Sequence, residues 1–265
     1  MKDILKHGKI VPITSEQGGG GLTREVHLIR YNGKKYVLRK CATKERADLY
    51  EKLTKKFEKY GFLPKFLGRY KNNLFFEYLP GRDLREKDAL KYSREIGRIC
   101  GIVNREKLDM KGKFNYNRKF IKKIDFLLDK KVIDKEKYDF IAKKYKEIRR
   151  KINLKLGFDL GDVDPNNFRL SKGKIYFVDI EGLNIRLIGV GFAKPLLRWF
   201  KTSKQRQNFF RGYNSVISSK FINKDYLQFF YLYFLVNNTF SKYNNKRSYA
   251  SNLRRINRLL NGEEL

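Results

Sequence analysis

Two adjoining stretches decide the fold of this chain: Leu160-Gly161-Asp162-Val163-Asp164-Pro165-Asn166-Asn167-Phe168 and Ile175-Tyr176-Phe177-Val178-Asp179-Ile180-Glu181. The first places an Asp and an Asn five residues apart on a polar loop. The second is a short apolar run that ends in another Asp. A carboxylate can orient a hydroxyl group, and an amide with a second carboxylate can hold Mg²⁺ on nucleotide phosphates. The spacing therefore favours a site for phosphoryl transfer.

An ordinary turn is the alternative for the polar loop, because Asn and Asp side chains readily bond their own backbone. The apolar run Tyr176-Phe177-Val178 argues against it, since it has the composition of a buried strand and Asp179 stands at its end. A carboxylate in such a place is costly unless a cation meets it. Asp159 and Asp164 add negative charge beside Asp162, and either is an alternative candidate for the base.

The composition indicates a folded and strongly basic protein. Hydrophobic residues make up 41% of the chain, and 61 Lys and Arg against 28 Asp and Glu give a net charge of +33. Such a field attracts nucleic acid, an anionic membrane surface or a phosphorylated substrate. Since Lys and Asn are abundant throughout, compositional bias is the alternative explanation. A basic helix near the C-terminus is either a solvated face or a contact for phosphate or anionic lipid; its basic residues are Arg247, Arg254, Arg255 and Arg258.

Nothing in the sequence predicts a membrane span or a secretory signal. The apolar runs are too short to cross a bilayer, and the first residues lack a signal-peptide core. Cys41 and Cys100 form neither a disulfide framework nor a zinc-ligand spacing, so we expect two reduced thiols in or near the core. These features predict a cytoplasmic protein, with a peripheral place at the inner face of the membrane as the alternative.

The order of predicted elements is strands first and helices after, which is typical of an α+β protein. Asn32-Gly33 and Lys71-Asn72-Asn73 are turn signals, and each predicts a hairpin in the first eighty residues. Pro80-Gly81 ends this part, so we expect two lobes, residues 1–81 and residues 82–265. The predicted strands are 25–30, 35–39, 64–70 and 74–78, and the predicted helices are 44–60, 86–104, 117–129, 134–153 and further segments within 195–261.

The polar loop and the strand after it resemble the protein-kinase-like superfamily, in the branch of aminoglycoside phosphotransferases, choline kinases and lipopolysaccharide core kinases. That branch usually has His-Gly-Asp-x-x-x-x-Asn and then Asp-x-Glu or Asp-x-Asp. The resemblance implies a two-lobed kinase-like fold with a small β-rich N-lobe and a larger helical C-lobe. It makes Asp162 the catalytic base and Asn167, Asp179 and Glu181 the metal positions. Leu160 replaces the His that mainly organises the loop, so the chemical positions are retained.

The segment from Gly20 to Arg39, which contains the first predicted hairpin, is similar to the nucleotide-binding hairpin of the same branch. By this resemblance Gly20, Gly21 and Thr23 approach the phosphates of ATP, and Arg39 takes the position of the strand-three Lys. Strand alternation places Arg39 on the same face as Val37. A glycine run is also compatible with a plain flexible loop, and Arg39 with a surface charge.

The family also has a helical Glu that pairs with the strand-three cation, and a hinge that meets adenine. We choose Glu45 as the partner, because it precedes Leu49 and Leu53 at four-residue spacing on a face predicted to point inward. Backbone groups of about Glu77 and Leu79 would bind the adenine, although Pro80-Gly81 could also mark a plain turn.

The resemblance predicts an enzyme, a kinase that uses ATP and Mg²⁺ to phosphorylate a hydroxyl. Since the Ala-Pro-Glu signature of protein kinases is not found, a small molecule or a sugar of a lipid-linked glycan is the favoured acceptor, in phosphorylated or membrane-linked form. Two alternatives are an atypical Rio-type protein kinase acting near RNA and a pseudokinase that binds nucleic acid or membrane through its basic surface.

Overall fold

A computed structural model describes residues 1–12, 26–107, 116–217 and 222–263. The predicted phosphate-binding residues Gly20, Gly21 and Thr23 lie outside these ranges, so their role stays a prediction.

The first part of the chain forms an antiparallel sheet of five strands, in the order β1-β2-β3-β5-β4. Both predicted hairpins are confirmed, and the first turns through Asn32 and Gly33, which have φ of 48° and 71°. Two positive φ values in succession are what a type I′ hairpin turn requires. The elements are α1 (Lys2–His7), β1 (Lys9–Pro12), β2 (Val26–Tyr31), β3 (Lys34–Lys40), α2 (Lys44–Glu58), β4 (Phe66–Tyr70) and β5 (Asn73–Glu77).

Alternation along β3 separates two environments, as predicted. Leu38 lies in a small cluster on the outer face of the sheet, with Ile4, Ile29 and Phe75. Val37 packs against the main core on the other face, and Arg39, two residues on, is also buried. The sheet therefore carries the Arg39 guanidinium toward the rest of the molecule.

Helix α2 covers the inner face with a different stripe from the predicted one. Leu53 and Phe57 are buried as expected, but Leu49 is 40% exposed, and Ala47 and Tyr50 take the inward positions. A strict four-residue spacing drifts by about 40° per step on a helix of 3.6 residues per turn. The prediction for Leu49 was wrong because the buried face of the helix passes through Ala47 and Tyr50 before it reaches Leu53.

The second part of the chain is mainly helical. The predicted helices at 86–104, 117–129 and 134–153 are confirmed with small changes of boundary. Among the described residues the helices are α3 (Ala89–Arg105), α4 (Tyr116–Asp129), α5 (Lys135–Lys151), α6 (Ala193–Arg198), α7 (Ser203–Asn214), α8 (Lys224–Asn244) and α9 (Ala250–Leu260). The aromatic stretch that begins at Tyr226 lies on α8 and supplies core residues, Phe229 and Phe230 among them. No described helix is both long and apolar enough to cross a membrane.

Two small antiparallel sheets are formed by strands between α5 and α6, together with one short strand that precedes α3. One pairs β7 with β10, and the other has the order β6-β8-β9. Their strands are β6 (Arg82–Asp83), β7 (Leu156–Leu160), β8 (Phe168–Ser171), β9 (Lys174–Phe177) and β10 (Leu183–Leu187). The polar loop of the sequence analysis joins β7 to β8, and Asp179 follows β9. These short strands therefore present both halves of the motif on adjacent connections.

Arg169 on β8 fixes the segment that connects the two parts of the chain. Its side chain is 5% exposed. The guanidinium donates to the carbonyl oxygens of Leu79 and Gly81, each at 2.7 Å, and forms an ion pair with Asp83 at 3.0 Å. Burial raises the pKa of Asp83, and Arg169 opposes that rise. Since β8 begins directly after the polar loop, this contact holds the connection in register with the candidate site.

We predict that Arg169→Met lowers the free energy of unfolding by about 3–5 kcal/mol, because it leaves Asp83 as a buried charge without its partner. Urea denaturation followed by circular dichroism measures this loss. Adding Asp83→Asn should restore part of it. Arg94→Met removes an exposed Arg from α3 and is the control, with an expected change within about 0.5 kcal/mol. Equal losses in the two single variants would contradict the prediction.

Candidate active site

The loop between β7 and β8 brings Asp162 and Asn167 into contact. The Asn167 amide nitrogen donates to the Asp162 backbone carbonyl at 2.8 Å and to its Oδ2 at 3.1 Å. Asp164 shapes the turn between them, since its carbonyl accepts from the Asn167 N–H at 3.0 Å. Because the amide nitrogen faces Asp162, the amide oxygen is the atom left to face a cation.

Asp179 lies beside this pair. The Asn167 carbonyl accepts from the Val178 N–H at 2.9 Å, which joins the end of β9 to the loop. Burial raises the pKa of Asp179, Arg39 opposes the rise, and the charges of Glu181 and Asp162 add to it. Three carboxyl groups from two loops therefore act on one another, and bringing them together costs free energy that a cation would offset.

Arg39 reaches this group of carboxylates from the N-terminal sheet. Its Nη1 donates to Glu181 Oε1 at 2.6 Å, and its Nη2 lies 3.7 Å from Asp179 Oδ1. The side chain is 6% exposed, and the guanidinium lies 5.8 Å from the ring centre of Tyr50 on α2. Arg39 is therefore a buried cation whose partners stand in the predicted metal motif, and it is not a surface charge.

The predicted partner Glu45 has a different place, and the pairing of Arg39 with Glu45 was wrong. Glu45 is exposed in the first turn of α2. Its pKa is lowered by a hydrogen bond to its own backbone N–H and by one to Thr43. Glu51 bonds to Lys55 and Arg69 instead. Neither Glu45 nor Glu51 therefore contacts Arg39. Glu45 was placed inward because it lies four residues before Leu49, but Leu49 is itself exposed.

Glu77 and Leu79, the residues predicted to meet an adenine, take part in hydrogen bonds within the protein. The Glu77 N–H donates to the Lys65 carbonyl at 3.0 Å, and its carboxylate accepts from the Lys65 N–H at 2.7 Å. The Leu79 carbonyl accepts from Arg169. Their role in nucleotide binding stays a prediction.

Lys194 on α6 is a residue of this site that sequence reasoning missed. Its ammonium forms ion pairs with Asp162 and, at 2.8 Å, with Asp164 Oδ2. Burial lowers the pKa of Lys194, but the hydrogen bonds with the two carboxylates outweigh it, and the net pKa is raised. Lys194 therefore neutralises the candidate base, while Arg39 contacts Asp179 and Glu181. No spacing rule singles it out among the many lysines of this chain.

Asp159 does not compete with Asp162 for the role of base. It is 1% exposed on β7 and points into the core. Its carboxylate accepts from the Asn104 amide at 2.9 Å and from the Gly191 N–H at 2.8 Å, and Tyr213 donates to Asn104 at 3.1 Å. These bonds join β7 to α3 and to the segment before α6. Helix α6 in turn carries Lys194.

The donor set fits Mg²⁺. Among the described residues, no three His, Cys, Asp or Glu side chains form a cluster that could hold a metal ion alone. Mg²⁺ seldom needs one, because it is usually held by one or two carboxylates, water and the phosphates of a substrate. The Asp179 carboxylate and the Asn167 amide oxygen are such ligands. Glu181 contacts Arg39 here, and its role as a ligand stays a prediction.

Comparison with known proteins identifies the fold. No family profile and no curated protein sequence matches the chain significantly. Among solved structures, it is similar to a choline kinase from Streptococcus pneumoniae, with a TM-score of 0.69 and 16% identity over 98% of this chain and 96% of the other.

Two further solved structures, of a kinase and a phosphotransferase, are also similar. An amicoumacin kinase in complex with AMP-PNP and Ca²⁺ gives a TM-score of 0.59 and 12% identity, over 97% of this chain and 87% of that one. A type VIII aminoglycoside-3'-phosphotransferase gives a TM-score of 0.53 and 15% identity, over 88% of this chain and 97% of that one. The predicted α+β, two-lobed kinase-like fold is therefore confirmed, and with it the resemblance at the level of the fold.

Asp159 gives this site a testable dependence on pH. Burial raises its pKa from 3.8 to about 6. Between these values the unfolded chain loses the proton while the folded chain keeps it, so folding stability falls as the pH rises and is constant above about pH 6. The fall attributable to Asp159 is about 3 kcal/mol, at about 1.4 kcal/mol for each pH unit.

We therefore expect the difference in unfolding free energy, wild type minus Asp159→Asn, to fall by about 2 kcal/mol from pH 4 to pH 7, since part of the full change lies below pH 4. Urea titrations of both proteins at several pH values measure this difference. The titrations of all other groups cancel to first order, because both proteins contain them. A difference that stays constant over this range would show that Asp159 is already ionised in the folded protein.

Proposed function

We propose that this protein is an ATP- and Mg²⁺-dependent phosphotransferase that moves the γ-phosphoryl group to the hydroxyl of a small molecule or of a sugar in a lipid-linked glycan. The observation that carries the proposal is the convergence of Asp162, Asn167 and Asp179 on adjacent loops, with the Arg39 guanidinium brought to them by the N-terminal sheet. Three residues of the second part of the chain and one of the first thus supply the groups that phosphoryl transfer needs.

The similar structures support the proposal in two ways. They are named as kinases and phosphotransferases, and one of them holds AMP-PNP with Ca²⁺, a nucleotide and a divalent cation together. Identities of 12–16% support the same fold, while the chemistry is argued from the residues of this chain.

In the proposed reaction each residue has a separate task. Asp162, with a carboxylate 47% exposed, holds the acceptor hydroxyl and takes its proton. Arg39 would bind phosphate oxygens of ATP, and Asn167 and Asp179 would hold the metal. Mg²⁺, when bound, neutralises charge on the phosphates. Lys194 lies against Asp162 and is placed to meet the transferred group as Asp162 turns to the acceptor.

A nucleotide-binding protein without transfer activity is a second candidate. One observation favours it: Lys194 contacts both Asp162 and Asp164, so the candidate base is already paired. The Lys194 ammonium occupies Asp162 Oδ1, an oxygen that would otherwise be open to the acceptor hydroxyl. Binding and turnover experiments together separate the two functions.

Removal of a metal ligand should abolish the contribution of Mg²⁺ to nucleotide binding. Isothermal titration with ADP, with and without Mg²⁺, measures it. We expect Asp179→Asn to weaken Mg²⁺-dependent binding at least tenfold, while binding without metal changes little, because the lost oxygen contacts the cation. Asp129→Asn, an exposed carboxylate 68% accessible at the end of α4, is the matched control. If wild type binds ADP no better with Mg²⁺, the proposed metal site is wrong.

Removal of the base should stop turnover without preventing binding. We expect Asp162→Asn to reduce the rate of phosphate release from Mg-ATP by roughly 10²–10⁴, the usual contribution of a positioned general base. A coupled phosphate assay follows release to water, so the acceptor need not be known. ADP binding to this variant should match wild type within a factor of about two. Wild-type protein that binds Mg-ATP but turns over no faster than the variant would favour the second candidate.

A further inference from the structure

Six basic side chains gather on one surface of the helical part. Arg198 ends α6, Lys242 lies in the last turn of α8, and the others precede or belong to α9. We refer to them as the cationic cluster: Arg198, Lys242, Arg247, Arg254, Arg255 and Arg258.

These side chains are close enough to repel one another. Burial lowers the pKa of Lys242, and the charges of Arg198, Arg255 and Arg247 lower it further. Burial likewise lowers the pKa of Arg255, and the positive charges of Arg198, Arg258 and Arg254 lower it further. Each effect requires cations within electrostatic range. In the described part of the chain, Arg258 pairs with Glu263, while the other five form no ion pair with an acidic side chain.

Arg198 is held in place by an aromatic ring and by an amide of α8. Arg198 Nη2 donates to Asn238 Oδ1 at 2.7 Å, and its guanidinium lies 5.3 Å from the ring centre of Phe234. The amide of Asn252, which is fully buried on α9, donates to the same Asn238 oxygen at 3.0 Å. Asn238 thus joins α6, α8 and α9 beside Arg198. The guanidinium of Arg198 is therefore fixed by the fold at one edge of the cluster.

The cluster borders the acceptor side of the candidate site. Lys194, which contacts Asp162 and Asp164, lies four residues before Arg198 on α6. Residues four apart share a helix face and are separated by about 6 Å along the axis. A molecule that offers a hydroxyl to Asp162 could therefore extend one helical turn further and meet Arg198.

A multivalent anion is the partner that this chemistry fits. Guanidinium groups bind phosphate oxygens through paired hydrogen bonds, and several of them together discriminate strongly for anions. A bound anion would also offset the repulsion among the cluster residues. A cationic acceptor, in contrast, would be repelled.

We propose that the cationic cluster binds a phosphate or comparable multivalent anionic group of the acceptor, so that the hydroxyl presented to Asp162 belongs to an anionic molecule. This inference rests on the proposed function, because the acceptor side is defined by Asp162. The same anionic chemistry could come from a soluble phosphorylated compound or from a lipid headgroup.

Binding of inositol hexakisphosphate, measured by isothermal titration, tests the cluster directly. We expect Arg198→Gln/Arg255→Gln to weaken binding about tenfold or more, because each substitution removes a charge-assisted contact. Lys34→Gln/Lys52→Gln removes the same charge from exposed positions on β3 and α2, and should change affinity less than about threefold. Thermal unfolding checks that both variants are folded. Equal weakening in both would overturn the proposal.

Two further measurements locate the site and identify the source of the anion. Saturating inositol hexakisphosphate should leave ADP binding in Mg²⁺ unchanged in wild type, since acceptor and nucleotide sites are separate; competition would overturn the proposal.

Cosedimentation with phosphatidylcholine vesicles that contain phosphatidylglycerol, compared with neat phosphatidylcholine, forms the other arm. Cluster-dependent binding to anionic vesicles together with the soluble probe supports a headgroup source, and binding to the soluble probe alone supports a soluble acceptor. Binding to vesicles alone would overturn the acceptor site in favour of a membrane surface.

These outcomes are independent of the test of the proposed function. Loss of Mg-ADP binding in wild type would refute phosphotransfer whatever the polyanion does. Intact Mg-ADP binding with no effect of Arg198→Gln/Arg255→Gln on the polyanion would refute only the anionic acceptor.

Discussion

The contact on which the rest of this site depends is the buried ion pair between Arg39 on β3 and Glu181 after β9. It is the direct charge contact between the N-terminal sheet and the loop that carries Asp179. A guanidinium that is 6% exposed is stable only with a partner, because the desolvation of an unpaired charge costs several kcal/mol. The fold therefore has to keep the sheet against the loop, and the candidate nucleotide and metal residues stay together as a consequence.

Two buried polar contacts hold the loop from its other sides. Arg169 fixes the segment from Leu79 to Asp83 against β8, and Asp159 fixes β7 against α3 and the segment before α6. Neither residue faces the candidate base, yet both lie within a few residues of it along the chain. Leu160, in the place of the family's His, is 1% exposed and packs in the core. In this chain the loop is thus supported by polar contacts on both flanks, while the residue two positions before Asp162 is apolar.

The distribution of charge gives the site two sides. Carboxylates of Asp162, Asp179 and Glu181 lie at the centre, Arg39 faces them from the sheet, and Lys194 faces them from α6. Arg198, a member of the cationic cluster, lies four residues after Lys194 on the same helix.

The sequence by itself determined the features that depend on local spacing. Asp162 meets Asn167 because five residues of loop suffice to bring them together, Arg39 points inward because side chains alternate along a strand, and Asn32-Gly33 turns the hairpin because both residues accept positive φ. The tertiary structure alone decided which charges pair across long separations. Glu181 instead of Glu45 meets Arg39, 142 residues away, and Lys194 meets Asp162 across 32 residues. In a chain with 61 basic residues, any of them could satisfy a given carboxylate, and only the packing of helices against sheets determines which one is within reach.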